Sequence, residues 1–153
     1  MEGISYEATS LAGTLKLNKL IVLYDSNDIT LDGELSKSFN ENVKDRFIAQ
    51  GWNYIRVEDG NDLDEIAEAI EEAQGETEKP TLIEVKTIIG YGAPNQGTNK
   101  IHGTPLGEEG IKIMKQNYGW NYAPFEVPEE VAHRFDKLLV QTGEHDYQEW
   151  QEL

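Results

Sequence analysis

The sequence predicts an α/β fold, a partial doubly wound parallel sheet with helices on both faces. Two observations predict it. Short apolar runs of strand length, rich in β-branched residues, recur along the chain as far as Ile89. Stretches with helical spacing precede and separate them, and such alternation implies parallel strands covered by helices.

Glu2–Leu17 puts Ile4, Ala8, Leu11, Ala12 and Leu15 on one helical face. Its small residues, Gly3, Ala8, Ala12 and Gly13, permit close packing. Leu20–Tyr24 follows as an interior strand. A second helix is expected from Ser36 to Gln50, closed by Gly51, and then a short strand at Asn53–Val57. Asp62–Gln74 carries the clearest apolar stripe, Leu63, Ile66, Ala67, Ile70 and Ala73, with Asp62 and Glu65 at capping-box spacing. Gly75 ends it, and Thr81–Ile89 reads as a third buried strand. Gly90–Gly107 is glycine-rich, holds Pro94 and Pro105, and has no apolar periodicity, so it is a long loop of the kind that is usually functional or disordered. Helices are expected again at Glu108–Tyr118 and Pro128–Gln141. Trp120, Tyr122 and Phe125 lie in an irregular stretch between them, as core or subunit contacts. The acidic tail Thr142–Leu153 is expected to dock weakly or fray.

Composition limits the function. The chain has 153 residues, enough for one domain with a core, and a formal net charge of -16 from 29 acidic and 13 basic residues. Phosphate backbones and anionic lipid surfaces are bound by Lys and Arg, so this balance argues against nucleic acid and membrane partners. A diphosphate held here would need a cation and backbone N–H groups. No apolar run approaches the roughly 18 residues of a bilayer span, the first residues lack the basic region and apolar stretch expected of a secretory leader, and there is no cysteine. The expected location is cytoplasmic.

The chemistry concentrates where strands end. Leu20–Gly33 is an apolar run that stops at Asp25-Ser-Asn-Asp28, and ligands of open α/β sheets bind outside the carboxyl ends of the strands. Asn27 offers an amide oxygen, with the main-chain carbonyl of Ile29 beside it. A hard cation such as Mg²⁺ or Ca²⁺ takes such oxygens and completes its shell with phosphate and water. One carboxylate is normally expected too, and Asp25 and Asp28 are nearby candidates. The same four residues also favour an Asx turn, and on the residues alone that turn is the expected role. His102, in the long loop, has the chemistry to contact a diphosphate or move protons near neutral pH. His133 and His145 fall on a helix and in the tail. Gly90-Tyr-Gly92 allows close backbone approach to a ligand but does not form a dinucleotide fingerprint.

Five segments in order, Met1-Glu-Gly-Ile-Ser5, Asn27–Gly33, Lys86–Asn95, His102–Gly107 and Gly119–Pro128, resemble transketolase over nearly the whole chain. The resemblance is to the second part of the family's N-terminal, diphosphate-binding domain, and it implies a single, N-terminally truncated domain over residues 1–153. It implies a thiamine diphosphate enzyme moving a two-carbon ketol unit from a ketose phosphate to an aldose phosphate, as a homodimer in its full-length form. Asn27 matches the asparagine that ends the family's cofactor motif, and Ile29 matches the residue whose carbonyl also binds Mg²⁺ (with Ca²⁺ or another divalent ion as a substitute). Leu31 matches an apolar position near the thiazolium. His102 matches the histidine that contacts the diphosphate and lies near the reacting carbon and substrate hydroxyls. Glu2 matches an interfacial glutamate coupled to the partner subunit's activating glutamate. Asp25 and Asp28 become bystanders.

The departures from the family pattern set further expectations. The motif's opening Gly-Asp-Gly, with its carboxylate ligand, falls just upstream of the residue matching Met1, so Met1 is expected to be internal to a longer chain or a misplaced start. The domain's first strands are missing too, which would leave a sheet edge uncovered. The isolated chain is expected to be inactive. Dihydroxyacetone synthase, which shares the motifs but accepts formaldehyde, is the nearest alternative; a non-catalytic acidic module or a split subunit is another.

Overall fold

The computed structural model describes residues 3–153. In chain order the first elements are α1 (Ser5–Thr14), β1 (Ile21–Ser26), the two-residue strands β2 (Ile29–Thr30) and β3 (Gly33–Glu34), and α2 (Val43–Ala49). They are followed by β4 (Asn53–Val57), α3 (Leu63–Gly75), β5 (Thr81–Lys86), α4 (Gly107–Asn117), α5 (Glu129–Phe135) and α6 (Thr142–Gln151). The chain divides into two compact units, Met1–Met114 and Lys115–Leu153. The α/β expectation holds: β1, β5 and β4 form a parallel sheet in that order.

β5 is central because it is the strand whose side chains are apolar on both faces at its start and whose backbone is paired on both sides. Thr81 through Val85 are all buried. Alternation then sorts the core into two clusters. Leu82 packs with Val22, Tyr24 and Tyr54 against Ala12 of α1, Val43 and Phe47 of α2, and Trp52. Ile83 and Val85 pack on the other face with Ile21, Ile55 and Val57 against Ile66, Ala69, Ile70 and Ala73 of α3. Helices therefore cover both faces. Phe47 and Trp52 meet edge to face, ring centroids 5.1 Å apart. The Trp52 indole N–H donates to the Thr9 carbonyl at 2.8 Å, tying α1 to the chain after α2.

Several boundaries differ from the sequence expectation, each for a local reason. The helix expected over 36–50 is a single 3-10 turn, Leu35–Lys37, and then α2 from Val43. Asn42 stops it from starting earlier, because its side chain accepts from the Asp45 N–H at 3.1 Å as an N-cap. Gly51, with φ of 85°, closes it as expected. The strand expected to reach Ile89 ends at Lys86, because β1 ends opposite it at Ser26. Asp62 caps α3, accepting from Asp64 N and Glu65 N at 3.0 and 3.1 Å. The box is not reciprocal, since the Glu65 carboxylate turns to the N–H groups of Glu58 and Asp59.

In the second unit, α5 continues through a π-helical segment, Asp136–Gln141, into α6. The tail, expected to dock weakly or fray, is helical with no buried residue, and no proline interrupts it after Pro128. Trp120 and Tyr122 are not core residues: their rings meet at a tilt, centroids 4.9 Å apart, and both remain exposed, as does Phe125.

Gly13 marks the closest approach of α1 to the end of α2. A methyl added there would collide with the Gln50 main-chain carbonyl, whereas one at Gly75 would meet nothing within 4 Å. Gly13→Ala is therefore expected to lower stability by about 1–3 kcal/mol, and Gly75→Ala to leave it unchanged or raise it by up to about 1 kcal/mol. Denaturant unfolding of the two variants checks this; equal effects would contradict the packing described.

Candidate functional site

One face of the sheet changes character along its length. At the amino ends of the strands it shows Val22, Leu82 and Tyr54, under α1 and α2. Towards the carboxyl ends the same face shows Ser26, Glu84, Arg56 and Lys86. These residues line a cleft of about 990 Å³ within the first unit, whose rim includes Asn27, Asp28, Ile29 and Lys44. The polar half of the sheet and the loops leaving it thus share one cavity, at the end of the strands where open α/β sheets place ligands.

Glu84 is the floor of this cleft. Its Oε1 accepts from Ser26 Oγ at 2.8 Å and its Oε2 from the Tyr54 hydroxyl at 2.7 Å. Arg56 Nη1 lies 3.5 Å from Oε1, while Arg56 Nε donates to Glu58 at 2.7 Å. Burial pushes the Tyr54 phenol up to about 12, helped by its hydrogen bond to Glu84. Burial also raises Tyr24, with the Glu84 charge adding to it. The Glu58 carboxylate is the main reason that Arg56 holds its proton even more firmly than usual.

The four polar residues after the apolar part of β1 have different partners. Asp25 accepts a short hydrogen bond from Thr87 Oγ1. Ser26 is bonded to Glu84, and Asp28 is paired with Lys86 Nζ at 2.5 Å. Among the described residues, Asn27 Oδ1 accepts only from the N–H of Ile29, at 3.0 Å. The Asx turn is therefore present, with Asp28 at φ of 62° inside it. It does not exclude a ligand role, because an amide oxygen has a second lone pair. Asp25 and Asp28, the two nearby carboxylates, are each tied through one oxygen, Asp25 to Thr87 and Asp28 to Lys86.

Ile29 and Leu31 follow on the β2–β3 hairpin, where Ile29 is opposite Glu34. Leu31, at the tip, is 65% exposed. His102 is exposed and follows a 3-10 turn, Asn99–Ile101. Two contacts place that turn. Ile101 lies against Gly90, where a Cβ would collide with it, and Asn99 Nδ2 donates to the Leu31 carbonyl at 3.4 Å. The structure so joins the loop of His102 to the hairpin of Asn27, Ile29 and Leu31. The His102 side chain itself makes no hydrogen bond or ion pair with them among the described residues. Glu2 lies outside the described residues.

The donor set suits a hard cation in part. Among the described residues, no group of three His, Asp or Glu side chains converges on one point. Beside the carboxylates tied to Thr87 and Lys86, the end of β1 offers neutral oxygen, the amide of Asn27 and peptide carbonyls, which a divalent ion accepts when phosphate oxygens and water fill the remaining positions. Sequence reasoning missed Glu84, Ser26, Tyr54 and Arg56. The available signal was one acid, Glu84, interrupting Thr-Leu-Ile-Glu-Val, a run that otherwise suits a strand buried on both faces.

The family model described as "Transketolase, thiamine diphosphate binding domain" matches residues 1–153. The chain belongs to the transketolase family. It is 60% identical over 153 residues to a transketolase of Streptococcus pyogenes, covering all of this chain and 21% of that protein. It is 57% identical to a transketolase of Geobacillus stearothermophilus, covering 99% of this chain and 23% of that one. Its fold matches a crystal structure of transketolase from Pichia stipitis in complex with sedoheptulose 7-phosphate. That match has a TM-score of 0.89 and 40% identity, and covers 99% of this chain and 23% of the other. The chain thus spans less than a quarter of the length of these transketolases.

The perturbed phenol gives a prediction at alkaline pH. Tyr54 binds its proton more tightly folded, about 12, than the ordinary 10 of an unfolded tyrosine. Its contribution to stability is complete below pH 10 and is lost as pH rises through 12. Tyr54→Phe should therefore flatten the fall in stability between pH 10 and 12. Denaturant midpoints measured across that range check it, and an unchanged alkaline slope would contradict the assignment.

Proposed function

We propose that this chain supplies part of the thiamine diphosphate site of a transketolase, and that the whole protein transfers a two-carbon ketol unit from a ketose phosphate to an aldose phosphate. One observation carries the site assignment: of four consecutive oxygen-bearing residues at the mouth of β1, Asn27 is the one whose side chain is left to the cleft by the neighbouring strand. The family match over the full chain supports the chemistry. The sugar phosphate named with the Pichia stipitis enzyme supports the substrate class. The relatives' transketolase name favours aldose phosphates over formaldehyde as acceptors, and an enzyme over an acidic binding module.

In this proposal Asn27 Oδ1 and the Ile29 carbonyl hold Mg²⁺, which neutralises the diphosphate where basic side chains are few. Bound thiamine diphosphate supplies the electron sink that breaking and making a carbon–carbon bond requires. Leu31 gives the cofactor ring an apolar contact. His102 binds the diphosphate, orients substrate hydroxyls and serves as the site's proton-transfer group. A carboxylate from elsewhere in the full protein completes the metal shell. Glu2 belongs to the interface of a homodimer working in the cytoplasm. The 153 residues form the later part of one diphosphate-binding domain.

Two measurements test the proposal on the full-length polypeptide that carries this segment. Asn27→Ala is expected to weaken Mg²⁺ binding, measured calorimetrically with thiamine diphosphate present, by at least about tenfold; unchanged affinity would remove Asn27 from the site. His102→Ala is expected to lower kcat/KM by about 10²–10⁴-fold, measured with a ketose phosphate donor. The 153-residue chain alone is expected to transfer no ketol unit, and measurable transfer by the purified chain would contradict the partial site described.

A further inference from the structure

Glu84 sits at the centre of the sheet, 8% exposed, on a strand that is otherwise apolar in this stretch. A carboxylate in that position is costly unless hydrogen bonds and opposite charge meet it. All three groups that meet it come from the neighbouring strands: Ser26 of β1, and Tyr54 and Arg56 of β4. The register sets Tyr24 of β1 opposite Glu84. The bond to Ser26 is therefore diagonal and runs toward the carboxyl end of β1. Ser26 is the last residue of that strand, itself 6% exposed, and Asn27 follows it.

The other two ties at this end are weaker anchors. Thr87–Asp25 and Lys86–Asp28 each tie a half-buried side chain to an exposed carboxylate, and such partly exposed polar ties contribute little, the ion pair being further screened by salt. The buried tie is the one to Glu84. We infer that Glu84 is a positioning residue for the cation site, fixing through Ser26 Oγ the backbone from which Asn27 presents its amide oxygen. Tyr54 and Arg56 hold the carboxylate in turn, so that β4 also bears on Asn27 although neither residue reaches it. This rests on the assignment of Asn27 to the cation.

The test titrates Mg²⁺ calorimetrically into the full-length polypeptide at saturating thiamine diphosphate, beside thermal melts of the metal-free protein. Ser26→Ala and Glu84→Leu are each expected to weaken Mg²⁺ binding about tenfold. The double variant should lose no more than the worse single one, because both remove the same bridge. Ser26→Thr keeps the hydroxyl and is expected to restore most of the affinity. If Glu84→Leu does not fold, the serine pair decides alone. A purely structural role predicts lower melting temperatures with Mg²⁺ affinity intact, or additive losses in the double variant, and either result overturns the inference. Asn27→Ala separates the two levels. If it also leaves affinity unchanged, the cation assignment fails; if it alone weakens binding, only the role of Glu84 fails.

Discussion

Everything at the site depends on how β1 is laid against β5. The two strands run parallel, with Ile21 opposite Thr81 and Ser26 opposite Lys86. Side chains alternate with a period of two, so a slip of one residue would send Ser26 to the face of α3 and break its bond to Glu84. The apolar pairs fix the register from below, with Val22 beside Leu82 on one face and Ile21 with Ile83 on the other. Packing at the amino ends thus determines which oxygens meet at the carboxyl ends.

That division of labour makes one sheet face serve two environments. Under α1 and α2 it is a conventional core, closed by Phe47, Trp52 and Leu82. A few residues further along, the same face is a polar floor whose charges are balanced by Glu84, Arg56 and Lys86. For a chain with net charge -16, drawing Arg56 and Lys86 into this cleft is notable, because both are held by carboxylates there. Diphosphate binding at such a place would depend more on a bound cation than on free basic side chains, in agreement with the role proposed for Asn27 and Ile29.

Much of this was legible in the sequence. The strands Leu20–Tyr24, Asn53–Val57 and Thr81–Ile89 lie within a few residues of their observed limits because β-branched runs can be buried in few other ways. Asn27 stood out because an apolar run stopped beside it. The errors fell where local polar groups compete with helix or strand: Asn42 captured an N-terminus inside an expected helix, and β5 ended when its partner did. Glu84 was illegible as a site residue because its meaning comes from residues 58 positions earlier and 30 positions earlier in the chain. Pairing of that range is a property of the sheet, and no local pattern announces it. Trp120, Tyr122 and Phe125, expected as core or subunit contacts, are exposed, since an aromatic side chain is not buried by its hydrophobicity alone.

The central claim is that Asn27 Oδ1, left unclaimed by β5, faces a divalent ion. Mn²⁺ is the most direct probe, since its anomalous scattering locates it unambiguously in crystals of the full-length polypeptide grown with thiamine diphosphate. The account predicts an anomalous peak about 2.0–2.3 Å from Asn27 Oδ1 and from the Ile29 carbonyl. A cofactor-bound crystal in which the peak lies elsewhere, with Asn27 bonded only to its own turn, would contradict it.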